Sequence, residues 1–101
     1  MNHFPDKIQL LEKFSEHFDA YRLRSDKVDI YFAEYEAGKT ITPHSHDTEN
    51  FGLVTAGTLR LTQDGEEKSY ASGTWYHIPA NAEHAATFDE DTAIIELWFK
   101  L

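Results

Sequence analysis

The chain has 101 residues, which suits a single domain built around one hydrophobic core. Eighteen acidic against nine basic residues give a formal net charge of −9, which repels nucleic-acid phosphates and anionic membrane surfaces, so we expect neither as a partner. Without Cys the chain has no disulfide or thiolate, and any metal must be held by His, carboxylate, amide or water. Since no stretch resembles a signal peptide or a membrane span, we expect a cytoplasmic protein.

The first twenty residues carry a helical pattern. Between Pro5 and Phe18, apolar residues recur at the three-or-four spacing of one helix face, at Ile8, Leu11, Phe14 and Phe18. We therefore predict an N-terminal helical arm over residues 1–20, followed by a β-barrel domain over residues 21–101. A first strand through Ile8 and Leu10 is the alternative interpretation.

After residue 20 the pattern has the period of two that is typical of strands. Val28, Ile30 and Phe32 occupy alternate positions, which predicts a half-buried strand that continues to residue 36. Turn signals separate further short extended runs at residues 21–24, 40–42, 51–55, 58–63, 67–70, 74–78, 85–88 and 92–99. Asp64-Gly65 is the clearest hairpin turn, because Gly accepts a positive φ. Many short strands of this kind predict an all-β sandwich or barrel.

His44 and His46 flank Ser45 in one of these runs. In an extended strand, residues two positions apart point to the same face, so the two imidazoles converge on one point. His84 follows a second punctuated stretch that contains Pro79 and Asn81. The three histidines indicate a metal site, and a vestigial, metal-free pocket is the competing interpretation.

Two motifs in the chain resemble those of the cupin superfamily, whose members are small jelly-roll β-barrels. The first, G-x5-H-x-H-x3-E-x6-G, matches Gly38, His44, His46 and Gly57, with Asn50 at the position of the Glu. The second, G-x5-P-x-G-x2-H-x3-N, matches Gly73, Pro79 and His84, with Asn81 at the second Gly and Phe88 at the final Asn. The resemblance covers roughly residues 28–99. It implies an all-β cupin double-stranded β-helix, or jelly-roll barrel.

Carried over to this sequence, the resemblance implies that His44, His46, Asn50 and His84 surround a divalent metal inside the barrel. Fe, Zn, Ni, Mn and Cu all suit a His-rich site, and ligand type alone does not choose among them. Three neutral imidazoles and an amide leave a divalent cation with its full charge of +2, which favours a polar or anionic small-molecule ligand. Because a strand alternates its faces, Glu49 and Asn50 cannot both point inward in a regular pleat.

Several other residues allow both a functional and a structural interpretation. His77 and Glu49 are candidates for moving a proton, although His77 could equally be a hydrogen-bonded strand residue. An aromatic set, Phe51, Trp75, Tyr76, Trp98 and Phe99, forms either a substrate wall or simply barrel core. His3 and His17 are expected to be ordinary surface residues.

Two functions of different classes follow from the resemblance. The first is a metal-dependent enzyme, a dioxygenase or an isomerase, acting on a small polar or anionic metabolite. The second is a non-catalytic binding or sensory module that captures a small ligand in the barrel. Cupins commonly pair through barrel edges, so we also expect a homodimer.

Overall fold

The computed structural model describes residues 2–101 and consists almost entirely of β-strands. Ten strands follow one another along the chain: β1 Glu12–Phe14, β2 Asp19–Leu23, β3 Val28–Tyr35, β4 Thr40–His44, β5 Glu49–Ala56, β6 Thr58–Gln63, β7 Glu66–Ala71, β8 Trp75–Ile78, β9 His84–Thr87 and β10 Thr92–Phe99. They form a six-stranded antiparallel sheet in the order β1-β2-β3-β10-β5-β8 and a four-stranded one in the order β4-β9-β6-β7. The predicted all-β jelly-roll barrel is confirmed.

The core lies between the two sheets, because each strand turns alternate residues inward. In β5 every second side chain is buried, and Val54 is fully enclosed. β10 pairs with both β3 and β5, so it runs through the middle of the larger sheet and carries the buried residues Ile94 and Glu96. Phe88, which stands at the Asn position of the second cupin motif, is also buried and stacks on Tyr35 at a centroid distance of 4.2 Å.

The hairpin predicted at Asp64-Gly65 joins β6 to β7. Both residues have positive φ, 51° for Asp64 and 76° for Gly65, the backbone of the two-residue turn that matches the twist of paired strands. The strand register pairs Gln63 with Glu66 directly across this turn. The predicted bounds of the preceding strand, residues 58–63, coincide with β6.

The N-terminal residues form strands where we predicted a helical arm. Within residues 2–20 the only helical segment is a single 3-10 turn at Ile8–Leu10, and the segments Glu12–Phe14 and Asp19–Leu23 pair with each other as β1 and β2. β2 pairs in turn with β3, so the first twenty residues share a sheet with the barrel, and β2 crosses the boundary that we placed between residues 20 and 21. Strand pairing overrides the helical spacing because an isolated helix of this length is marginal in water, whereas the sheet supplies partners for the backbone and for the Phe side chains.

The apolar residues of this segment pack on both faces of the larger sheet. Phe4 contacts Phe32 edge-to-face at a centroid distance of 5.6 Å. Phe14 and Phe18 pack against Tyr31 at centroid distances of 5.2 and 5.6 Å.

Among the described residues, no helix is long and apolar enough to cross a membrane.

Candidate metal centre

Three histidines meet at one end of the barrel. His44 ends β4 and lies opposite His84, the first residue of β9, while His46 follows two residues later in the loop to β5. The pairing of β4 with β9 shifts register between Ile41 and His44, an irregular stretch that accommodates Pro43, which has no N–H for the ladder. One nitrogen of each imidazole can be chosen so that all three lie within 4.8 Å of one another.

Hydrogen bonds to the backbone orient two of these rings. His44 Nδ1 donates to Thr42 O at 2.8 Å, and His84 Nδ1 donates to Ala82 O at 3.0 Å. A carbonyl oxygen can only accept, so the proton lies on Nδ1 in both rings and the lone pair of Nε2 is free. Fixing the tautomer in this way is how metal-ligating histidines are prepared in proteins.

The surroundings also keep the imidazoles of His46 and His84 neutral, as metal binding requires. Burial and the neighbouring His44 and His84 lower the pKa of His46 to about 4. Burial lowers the pKa of His84 as well, against the opposing hydrogen bond to Ala82 O. At neutral pH, His46 and His84 therefore present lone pairs rather than protons.

The structure separates Asn50 from Glu49. Asn50, in β5, is buried and faces the barrel interior, where its Oδ1 accepts a hydrogen bond from Thr48 Oγ1 at 2.7 Å. Glu49 points to the opposite face and lies 2.9 Å from Nε2 of His77, which is itself exposed on β8. Of the two neighbours, the amide is the one that lines the same cavity as the histidines. Neither of the candidate proton carriers, His77 and Glu49, lines the cavity.

The loop before β9 is tied to the loop that carries His46. The backbone N–H of Asn81 donates to His46 O at 2.7 Å. Asn81 has φ 66°, a left-handed conformation that Asn tolerates better than most residues other than Gly. This explains how Asn can replace the second Gly of the second cupin motif.

A cavity of about 570 Å³ extends from the three histidines into the barrel. Its wall includes Tyr76 and Trp98 from the aromatic set that the sequence singled out, with Trp98 packing on His46 at a centroid distance of 4.4 Å. The other three aromatic residues do not line it: Phe51, Trp75 and Phe99 lie on the outer face of the sheet. Two of the five aromatic residues therefore line the cavity, and three lie on the outer surface.

The cavity is also lined by residues that the sequence analysis did not identify as part of a site. Phe14 and Phe18 line it from the N-terminal segment, and the guanidinium of Arg22 lies 5.0 Å from the Phe14 ring centroid. The β1–β2 connection also brings His17 to the cavity, whereas His3 lies on the outer surface with its ring nitrogen 3.1 Å from Glu34. The pattern that we interpreted as a helix face thus includes part of the cavity wall.

Glu96 is the other functional candidate that the sequence analysis missed. It is buried in β10 and lines the cavity, with Oε2 accepting from Tyr35 Oη and Oε1 accepting from Trp98 Nε1 at 3.0 Å. Burial raises its pKa, and the hydrogen bonds from Tyr35 and Trp98 partly offset that effect. The available signal was a lone carboxylate at an inward position of the apolar run TAIIELWF.

A cupin-domain family model matches residues 31–99 of the chain. Among solved structures, an RmlC-like cupin from Shewanella frigidimarina has a TM-score of 0.82 at 16% identity, covering 100% of this chain and 93% of its own. A conserved protein of unknown function from Streptococcus pyogenes has a TM-score of 0.78 at 20% identity, covering 100% and 91%. The DMSP lyase DddQ from Ruegeria pomeroyi has a TM-score of 0.74 at 24% identity, covering 85% and 48%. No curated protein matches the sequence at a significant level.

Proposed function

Because the chain belongs to the cupin family, we propose that it is a metal-dependent enzyme that acts on a small anionic molecule in the barrel. The observation that carries this proposal is the convergence of His44, His46 and His84 within 4.8 Å of one another at a cavity of about 570 Å³. The imidazoles fit a divalent Fe, Zn, Ni, Mn or Cu ion in donor type, and burial keeps His46 and His84 in the neutral form that binds metal. When bound, such an ion supplies Lewis-acid chemistry and an open coordination position for a ligand.

Asn50 is proposed as a fourth, weaker ligand through its amide oxygen. Its burial in the wall of the cavity that the histidines line and its place in the first motif support this role. A neutral amide leaves the charge of the cation undiminished, so the site attracts carboxylate, enolate or similar groups more strongly than one with a carboxylate ligand would. Dioxygenase or isomerase chemistry on such a molecule is the activity that we propose.

A non-catalytic small-ligand-binding module is the second candidate. Asn50 favours it, because replacing a carboxylate by an amide lowers the affinity for the ion. The retention of all three imidazoles, with two tautomers fixed by backbone carbonyls, favours the enzyme.

Metal content separates the two functions. We expect untagged protein expressed without added metal to carry close to one equivalent of a divalent metal by elemental mass spectrometry. His84→Ala should lose it, and His77→Ala should keep it because His77 lies outside the cavity. A near-stoichiometric redox metal would direct oxygen-consumption assays to small acids. Protein that takes up no metal even after dialysis against several divalent ions would contradict the enzyme and leave the binding module.

A further inference from the structure

Glu96 is a buried carboxyl group on the cavity wall that the proposed metal site does not use. It is 6% exposed, and the neighbouring inward positions of β10 are the apolar Ile94 and the aromatic Trp98. An ionisable group at such a position costs free energy unless it is paired or hydrogen-bonded. The position therefore needs an explanation beyond packing.

The hydrogen-bond partners of Glu96 occupy only some of its acceptor sites. Tyr35 Oη and Trp98 Nε1 each donate one hydrogen bond, and both donors are neutral. Among the described residues, no Lys, Arg or His nitrogen lies within 4.0 Å of the carboxylate. A carboxylate has about four acceptor sites, so about two remain for a donor that enters the cavity.

The strand register fixes where Glu96 lies relative to the metal site. Trp98 pairs with Asn50, and Glu96 pairs with Gly52, two residues further along β5. Two residues of a strand span roughly 7 Å, so Glu96 lies one pleat repeat deeper in the barrel than the proposed fourth ligand. The Tyr76 ring fills the space above Gly52, but Glu96 and the three histidines line one and the same cavity. A small molecule at the histidines can therefore extend one end through this cavity toward Glu96.

We propose that Glu96 is the second anchor of the ligand site and accepts a hydrogen bond from an amine or hydroxyl group of the ligand. The inference rests on the proposed function, in which the anionic end of the ligand binds at the histidines. Together the two anchors select a short amino acid or hydroxy acid over a simple carboxylic acid of the same length. A protonated amine binds best, because it supplies the positive charge that the protein does not place beside Glu96.

Three small probes test this selection on the zinc-loaded protein: 3-aminopropionate, 3-hydroxypropionate and propionate. The chain has two Trp residues, and their indole N–H signals in a nitrogen-15 NMR spectrum report on different places. Trp98 donates to Glu96, whereas Trp75 is 55% exposed on the outer face and serves as the internal control. We expect saturable shifts at Trp98 only, with 3-aminopropionate binding about tenfold tighter than propionate and 3-hydroxypropionate between them.

Glu96→Gln keeps the size of the side chain and an acceptor for Trp98 while removing the charge. We expect it to reduce the amine preference to less than about twofold and to leave propionate affinity unchanged. Glu49→Gln, the matched change on the outer face, should keep the full preference. Equal affinities of the three probes for the wild-type protein would overturn the role of Glu96, whether or not the variant folds.

The outcomes also distinguish this inference from the proposed function. If propionate binds His84→Ala as well as it binds the wild type, the metal-site proposal fails. An amine preference that persists in His84→Ala still supports Glu96. If none of the three probes binds the wild-type protein, both proposals fail.

Discussion

At position 50 an amide stands where the first cupin motif has a carboxylate, and the charge of the proposed metal site depends on that exchange. Asn50→Asp keeps the volume and preserves the acceptor for Thr48 Oγ1. A negative charge beside a divalent cation is attractive even after solvent screening, so we expect zinc affinity to rise about tenfold in a chelator competition assay.

The matched control for this change is Asn81→Asp in the loop before β9. Asn81 is exposed, and Asp also tolerates its left-handed backbone. We expect little change in zinc affinity from this variant. Equal affinities of Asn50→Asp and the wild type would show that residue 50 does not coordinate the ion.

Glu96 gives the stability of the metal-free protein a characteristic pH dependence. Burial raises its pKa in the folded state above the ordinary value of 4.5, so the folded protein holds this proton to a higher pH than the unfolded chain does. Between the two values the folded state binds more protons, and the free energy of unfolding therefore falls as pH rises. This contribution is fully present below about pH 4.5 and is lost as pH rises through the folded pKa.

Urea denaturation of chelator-treated wild type and Glu96→Gln across this pH range isolates the effect. Groups that contact or face Glu96, which are Tyr35, Tyr76 and Trp98, are present in both proteins. We expect the stability of the wild type relative to the variant to decrease as pH rises from 4.5. A relative stability that stays constant or increases would contradict the raised pKa.

At the scale of the strands, the sequence predicted the structure correctly where only one type of secondary structure fitted the pattern of apolar residues. The bounds predicted for β6 and β10 are those observed, because the alternating residues of β6 and the apolar run of β10 each lie between clear turn signals. The N-terminal segment was predicted incorrectly, because Ile8, Phe14 and Phe18 fit a helix face, whereas the pairing of β1 with β2 and of β2 with β3 in the finished sheet selects strands, which the spacing within the segment does not encode.

The candidate site shows the same division between local and long-range information. His44, His46 and His84 could be identified from motif spacing, and the structure brings them together. The inward direction of Asn50 follows from the pleat only once the register of β5 is known. A functional role for Glu96 could not be assigned from the sequence, since its hydrogen bonds depend on which residues of β3 and β10 surround it in the closed barrel.

Strands β5 and β8 pack closely against each other at Gly52. A Cβ at this position of β5 would lie 2.1 Å from the ring of Tyr76, its direct partner on β8. The ring is buried and cannot swing into solvent. We expect Gly52→Ala to lower the free energy of unfolding by about 2 kcal/mol in urea denaturation, because overpacking forces side chains and backbone apart.

A double-mutant cycle tests whether this cost arises from the Tyr76 ring. Tyr76→Leu removes the atoms that the new Cβ would meet, so Gly52→Ala should cost much less in that background. Full additivity of the two changes would show that Gly52 is needed for another reason.

On the scale of the whole molecule, the outer face of β5, β8 and β10 suits a second copy of the chain. Trp75 is 55% exposed and Phe99 is 38% exposed. Between them, Phe51 stacks on His77 at a centroid distance of 4.5 Å. β8 is also an edge strand of the larger sheet, and such an edge presents backbone groups that can pair with another chain.

We therefore expect a homodimer with two-fold symmetry in which the Trp75 surfaces of the two copies meet. Light scattering after gel filtration at micromolar concentration should give twice the mass of one chain. Trp75→Glu should give the monomer, because it places a charge in the patch that the second copy would cover without altering the cavity. Leu10→Glu is the matched control: Leu10 is 81% exposed in the 3-10 turn, which contacts β2 near the opposite end of the larger sheet from β8, and the variant should remain dimeric. A wild-type protein that elutes with the mass of one chain would exclude the dimer, and a dimer that survives Trp75→Glu would move the interface elsewhere.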